Sequence, residues 1–239
     1  MAYLSSAQPD VLCLQELKCT DDQFPLAEVQ AAGYQAVFHG QKTYNGVAIL
    51  AKKPLENPVR GLSDGGDDAH ARVIAATVRG VRIISLYAPN GQAVDSPAYG
   101  YKLEYYQRLK RYLSERHIPS EPLVVCGDFN VAPEDIDTYD AKAWEGQTLF
   151  TERERAALAE LKRFGLEDSF RKHHPEPGRF SWWDYRMLAF PKNRGLRIDF
   201  VLATAPLMAQ CVGAEIDREA RKGKLPSDHA PVWADFAVA

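Results

Sequence analysis

Residues 123–130 read Leu-Val-Val-Cys-Gly-Asp-Phe-Asn. Four apolar residues in a row suit a strand covered on both faces rather than one facing water. Gly127 then lets the backbone turn or come close to a neighbour. Side chains two apart on an extended chain point the same way, so Asp128 and Asn130 project together from a strand end. Asp and Asn also favour plain turns. The rest of the chain therefore decides whether the pair is a turn or a site.

The chain has 239 residues, 46% of them hydrophobic, which is enough to build a sizeable core in one domain or two small ones. A net charge of −3 excludes a uniformly basic nucleic-acid binder but leaves room for a local patch. The cysteines at 13, 19, 126 and 211 form no Cys-x-x-Cys pair, as expected of a reduced, cytoplasmic chain without structural zinc. No apolar run reaches membrane-spanning length and no signal peptide opens the chain.

Working outward from the first stretch, strands are expected at 11–15, 35–38, 46–51, 72–78, 81–87, 198–203, 211–216 and 232–238. Helices are expected at 23–32, 99–116 and 151–164, the last opened by a Thr151–Glu154 capping box. Many short strands with a few long helices point to an α/β fold in which sheets pack face to face with helices outside. No linker divides the chain, so a single domain over 1–239 is expected. Residues 1–10 read as the tail of a helix that feeds straight into a strand.

Other strand ends also carry polar chemistry. Glu16 follows the 11–15 run, Tyr87 and Asn90 flank the end of 81–87, and Asp228-His229 precedes the last strand. Asp199 lies inside an apolar run, where a carboxylate needs a partner. His229 is a candidate, since a carboxylate fixes the imidazole tautomer and supports its positive charge. A set made of Glu16, Asp128, Asn130 and Asp228 offers only oxygen ligands, which suits Mg²⁺ or Mn²⁺ rather than zinc.

Taken together and in order, LQELK, NGVAIL, LYAPNG, GDFNVAPEDID, FSWWDYR, NRGLRIDFVLA and SDHAPV resemble exonuclease III-type abasic-site endonucleases of the endonuclease/exonuclease/phosphatase superfamily. The matching stretches cover nearly the whole chain. GDFN and SDH alone indicate only the superfamily; WWDYR and NRGLRID favour its DNA-repair branch. The resemblance implies a four-layered sandwich of two mixed β-sheets flanked by helices. It implies Mg²⁺-dependent hydrolysis (Mn²⁺ as substitute) on the 5′ side of abasic sites, with 3′→5′ exonuclease and 3′-end cleaning. The implied partner is duplex DNA with abasic sites or 3′ ends, met by a monomer in a bacterial-type cytoplasm, at the nucleoid and away from membranes. Family members begin with a strand that nothing here matches, so about 20 residues, a strand with its turn and helix start, are expected to be missing at the N-terminus.

By the same resemblance Glu16 ligates the metal, with Asp228 beside it. Asp128 aligns or activates the attacking water and Asn130 helps to position it. His229, paired with Asp199, contacts the scissile phosphate, and Tyr87 donates toward the phosphate or leaving group. Trp182, Leu196 and Ile198 fall at the apolar pocket for a flipped abasic sugar. Asn90 falls at a phosphate contact, Tyr44 and Arg72 at contacts to the DNA backbone.

Between 171 and 198 stand seven Lys or Arg residues (171, 172, 179, 186, 192, 194 and 197) against the acids Glu176 and Asp184, interleaved with aromatics. That mixture suits a polyanion, with Arg186 among the expected contacts. Two other readings stand beside the nuclease: a weakly active or inactive DNA-binding remnant, and a phosphoesterase acting on small molecules or lipids.

Overall fold

A computed structural model describes residues 1–64, 70–223 and 225–238, apart from the side chain of Ala2. The chain folds as two compact units, residues 1–87 with 122–127, and residues 88–121 with 128–239.

In the first unit, α1 (Ala2–Ala7) leads into β1 (Val11–Gln15). Then come α2 (Leu26–Ala31), β2 (Gln35–His39) and β3 (Val47–Ala51). They make an antiparallel sheet in the order β1-β3-β2, with Cys13 opposite Ile49 and Val37 opposite Ile49 on the other side. β3 is central and every residue in it is buried, which is why Val-Ala-Ile-Leu-Ala reads as an unbroken apolar run. Leu4, Phe24, Val29, Tyr34, Ala48 and Leu50 form one core cluster here, and Phe24 stacks on Phe38.

A second set runs in the order β4 (Glu56–Arg60), β5 (Val73–Val78), β6 (Val81–Tyr87) and β7 (Leu123–Asp128). β5 and β6 join through the Arg79-Gly80 turn, both residues at positive φ. β4 was not foreseen: it contains Pro58 and is largely exposed, and as an edge strand it tolerates a residue that cannot donate. β7 extends two residues past the expected run. Gly127 sits at φ +130°, where a Cβ would lie 2.0 Å from the carbonyl oxygen of Leu86. Only glycine fits so close an approach.

The second unit holds α3 (Pro97–Arg116), α4 (Ala141–Trp144), α5 (Glu152–Lys162), β8 (Leu166–Asp168), α6 (Ser169–His173), β9 (Asp199–Thr204), α7 (Ala205–Met208), β10 (Cys211–Ile216) and β11 (Val232–Phe236). β8 pairs with β9 and β10 with β11, both antiparallel. α3 packs on α5. Thr151 caps α5, and both arms of its capping box with Glu154 are made. α4, β8, α6 and α7 were not foreseen, because three to five residues carry no readable period. The helix expected at 23–32 starts at Leu26, after Pro25, with a 3₁₀ turn over Asp21–Gln23 before it. Among the described residues no helix is long and apolar enough to cross a membrane.

Candidate active site

In the first unit the functional side chains gather at the exits of β1 and β6. Glu16 follows β1 at φ +55°, a left-handed conformation that swings its carboxylate off the strand line. Tyr87, the last residue of β6, donates its hydroxyl to Glu16 Oε1 at 2.8 Å. Lys18 Nζ lies 2.8 Å from Glu16 Oε2. The Arg72 guanidinium lies 5.1 Å from the Tyr87 ring centre and donates to the Tyr87 carbonyl at 3.2 Å. Glu16, Tyr87 and Arg72 thus form one polar cluster. Tyr44 is 70% exposed in the loop before β3.

In the second unit the buried strand end carries a hydrogen-bonded carboxylate and carboxamide. Asp128 and Asn130 are each 4% exposed. Asp128 Oδ1 accepts from the Asn130 backbone N–H and Oδ2 from Asn130 Nδ2, both at 2.8 Å. Asn130 Nδ2 also donates to the Ala88 carbonyl at 2.9 Å, and its Oδ1 accepts from Asn90 Nδ2 at 3.2 Å. Asn130 adopts φ +52°, which Asn tolerates better than most residues.

Asp199 opens β9. His229 Nδ1 lies 2.9 Å from Asp199 Oδ2 and 3.1 Å from Oδ1, so the carboxylate clasps that ring nitrogen. The far nitrogen, Nε2, points to Asp128 Oδ2 at 4.0 Å. The three side chains Asp199, His229 and Asp128 therefore form one compact cluster. Burial disfavours a charged imidazole, yet Asp199, helped by Asp128 and Asp228, raises the His229 pKa to about 10. The carboxylates around the ring thus favour the imidazolium at neutral pH. Ser181 Oγ accepts the backbone N–H groups of Ile198 and Asp199 at 3.0 and 3.1 Å and fixes the start of β9.

Trp182 Nε1 donates to Asp228 Oδ2 at 2.9 Å, which ties the WWDYR stretch to the residue before His229. Trp182 is partly exposed, whereas Leu196 and Ile198 are 0% and 1% exposed and pack with Ala132, Leu149 and Phe150. Those two therefore form a floor beneath Trp182 rather than a face open to a ligand.

The basic stretch needs correction. Arg197 is 1% exposed and bound to Asp137 and Asp168, at 2.6 and 2.7 Å. Arg171 pairs with Asp137 and Arg179 with Glu215. Lys172 donates to the Met208 and Cys211 carbonyls. Four of the seven cations are thus engaged within the second unit, the three arginines by acids that stand elsewhere in the sequence and Lys172, itself exposed, by carbonyls. Lys192 and Arg194 remain exposed, and Arg186 is exposed but bound to Asp184. Sequence reading also missed Lys102, whose buried ammonium reaches the Asn90 and Asn130 carbonyls. Its signal was a charge on the stripe 102, 105, 106, 109, 112 and 113 that α3 buries.

Carboxyl and imidazole groups of Asp128, Asp199 and His229 lie within 4.8 Å of one another, a spacing that a metal site can have. Asp199 engages Nδ1 of His229, so that nitrogen is not offered to a metal. Glu16 and Asp228 are partly exposed carboxylates, and such all-oxygen donors fit a hard divalent cation.

Residues 1–229 match the Endonuclease/Exonuclease/phosphatase family. An exodeoxyribonuclease III of Haemophilus influenzae is 38% identical, over 98% of this chain and 92% of its own length. Among solved structures, a 3′ phosphatase of Neisseria, NExo, bound to a product DNA hairpin, aligns with TM-score 0.95 and 42% identity, covering 99% of this chain and 92% of that one. An AP endonuclease from Archaeoglobus fulgidus aligns with TM-score 0.96 and 37% identity, covering 99% of this chain and 92% of that one. The chain belongs to the endonuclease/exonuclease/phosphatase family and, within it, to the exonuclease III type. Its fold is the DNase-like α/β fold of these structures, two main sheets flanked by helices.

Proposed function

We propose that this chain is a Mg²⁺-dependent DNA-repair nuclease that hydrolyses the phosphodiester 5′ to an abasic site, with 3′→5′ exonuclease and 3′-end-cleaning activity. The observation that carries this is the Asp199–His229–Asp128 cluster, in which Asp199 clasps Nδ1 of the imidazole and Nε2 lies 4.0 Å from Asp128. Phosphodiester hydrolysis needs an oriented water, neutralised phosphoryl oxygens and help for the leaving oxygen.

Asp128 accepts the proton of the attacking water, and Asn130 holds that carboxylate at both oxygens. The imidazolium of His229 binds the phosphoryl oxygens and stabilises the charge that builds on them. Asp199 keeps the imidazole oriented and charged. Asn90, fastened to Asn130, donates to the phosphate. As the P–O3′ bond breaks, Tyr87 donates toward the leaving oxygen. Glu16 would ligate the cation, and Asp228 carries the same kind of oxygen donor. A bound Mg²⁺ supplies Lewis-acid neutralisation of phosphoryl charge.

Trp182, partly exposed, offers the apolar surface against which a flipped abasic sugar packs, with Leu196 and Ile198 as its floor. A baseless nucleotide costs less to flip than a paired one, so such a surface selects it. Tyr44, Arg72 and Arg186 contact the DNA backbone. The H. influenzae exodeoxyribonuclease III and the A. fulgidus AP endonuclease support the DNA-repair reading. The Neisseria 3′ phosphatase supports 3′-end cleaning.

The test is incision of a duplex carrying one tetrahydrofuran abasic analogue, with Mg²⁺ and with EDTA. Incision should need Mg²⁺ and fall at least about 100-fold in Asp128→Asn, the range lost with an acid–base group. Equal cutting by that variant would refute the assignment.

A further inference from the structure

Asn90 and Asn130 lie in different loops, one after β6 and one after β7. The same group reaches behind both. Lys102 projects from α3, is 0% exposed, and donates to the Asn90 carbonyl at 3.1 Å and the Asn130 carbonyl at 2.6 Å. Its third proton goes to Glu154 Oε1. All three N–H bonds of the ammonium are thereby used. Glu154, also 0% exposed, is saturated in turn: it accepts from the Leu149 and Thr151 backbone N–H groups and from the Thr151 hydroxyl at 2.6 Å. Tyr99, one turn before Lys102 on α3, bonds the same hydroxyl at 2.6 Å. From the next turn Tyr106 donates to the Phe129 carbonyl.

A buried ammonium is costly, and a plain ion pair would be replaceable by apolar residues of the same volume. What such residues could not replace is the bond to two carbonyls. Asn130 sits in the left-handed region, which a side chain adopts only when its surroundings hold it there. The Lys102 bond fixes the carbonyl at the end of that residue, and with it the plane from which the side chain reaches Asp128. Gly91, next to Asn90, sits at φ +91°, and a Cβ on it would lie 3.0 Å from the Lys102 side chain, so the lysine also shapes the second loop. We propose that Lys102 is a positioning residue for phosphodiester hydrolysis, holding the Asn90 and Asn130 loops in register from behind while Glu154 serves to balance its charge. The proposal rests on the roles of Asn90 and Asn130 in the proposed hydrolysis.

The test compares Lys102→Met, Glu154→Gln and the double variant Lys102→Met/Glu154→Gln in the full chain, assayed on the abasic duplex below every melting temperature. Lys102→Met breaks the carbonyl bonds and strands Glu154. Glu154→Gln keeps those bonds. The double variant removes both charges while the amide oxygen at 154 still accepts from the Leu149 and Thr151 donors, so the fold is kept without the prop. We expect kcat to fall about 100-fold in the double variant with KM changed less than about threefold, the scale of a misplaced catalytic group. Glu154→Gln should stay within about fivefold of the parent kcat, the lesser loss expected when only the charge balance is disturbed. On an Asn130→Ala background the double change should cost little further, because both would act through one group.

Parent-like kcat in the double variant would overturn the proposal. So would equal losses in Glu154→Gln and Lys102→Met, which would make the ion pair alone responsible. Failure of both Lys102 variants to fold would make the lysine structural and overturn it as well. Full activity in Asn130→Ala itself would instead fault the assigned site, which separates the two failures.

Discussion

In the proposed reaction the charge stabilisation centres on His229. Its imidazolium exists because Asp199 clasps one nitrogen while Asp128 and Asp228 add negative potential, which together outweigh the cost of burial. A histidine whose pKa is raised on folding stabilises the fold fully below its unfolded value of about 6.5. That contribution is lost as pH rises through the folded value of about 10. In metal-free protein, the ring should therefore titrate near pH 10 by NMR. Stability from urea unfolding should decline between pH 7 and 10 and do so less in His229→Asn. A ring that titrates near 6.5, with no difference in slope, would contradict this. The pairing of Asp199 with His229 was legible because a carboxylate in an apolar run demands a partner. The partners of Lys102 were not, because its contacts are backbone carbonyls and every residue has one.

At the scale of elements, the lesson comes from Arg197. In sequence it is one of seven cations in an aromatic stretch and looks like a phosphate contact. In the fold it enters the second unit, where Asp137 from the 3₁₀ turn after β7 and Asp168 at the end of β8 meet it, and where Phe170 and Phe200 lie against its guanidinium. It thus ties three elements together ahead of β9. Removing one partner of a buried ion network leaves charges uncompensated, at a cost of about 3–5 kcal/mol. Arg197→Met should lower unfolding stability by that amount, measured by denaturant titration with an unchanged m-value. A change below about 1 kcal/mol, the worth of an exposed pair, would mean that the arginine is solvated and free for a ligand. Elements were readable where they were long or fully apolar, as in α3 and β3. β4, β8 and α4 were not: an edge strand with a proline, a three-residue strand and a one-turn helix leave too little pattern.

For the whole molecule, the decisive signal was the order of seven short motifs along 239 residues rather than composition, since a net charge of −3 gives no hint of a DNA-directed family. The matched family spans residues 1–229, and relatives of the exonuclease III type align over nearly the full chain. The chain places carboxylates, an imidazolium and amides at its strand ends. In the proposed reaction these groups activate water against phosphorus rather than eliminating across the sugar. Cleavage of a tetrahydrofuran-containing or natural abasic duplex in ¹⁸O-water with Mg²⁺ separates these chemistries, read by mass spectrometry of the products. Hydrolysis predicts one ¹⁸O in the 5′-phosphate of the abasic fragment and a free, unlabelled 3′-hydroxyl upstream. An unlabelled phosphate with an unsaturated sugar at the 3′ end of a natural abasic site, and no cutting of the analogue, would contradict it.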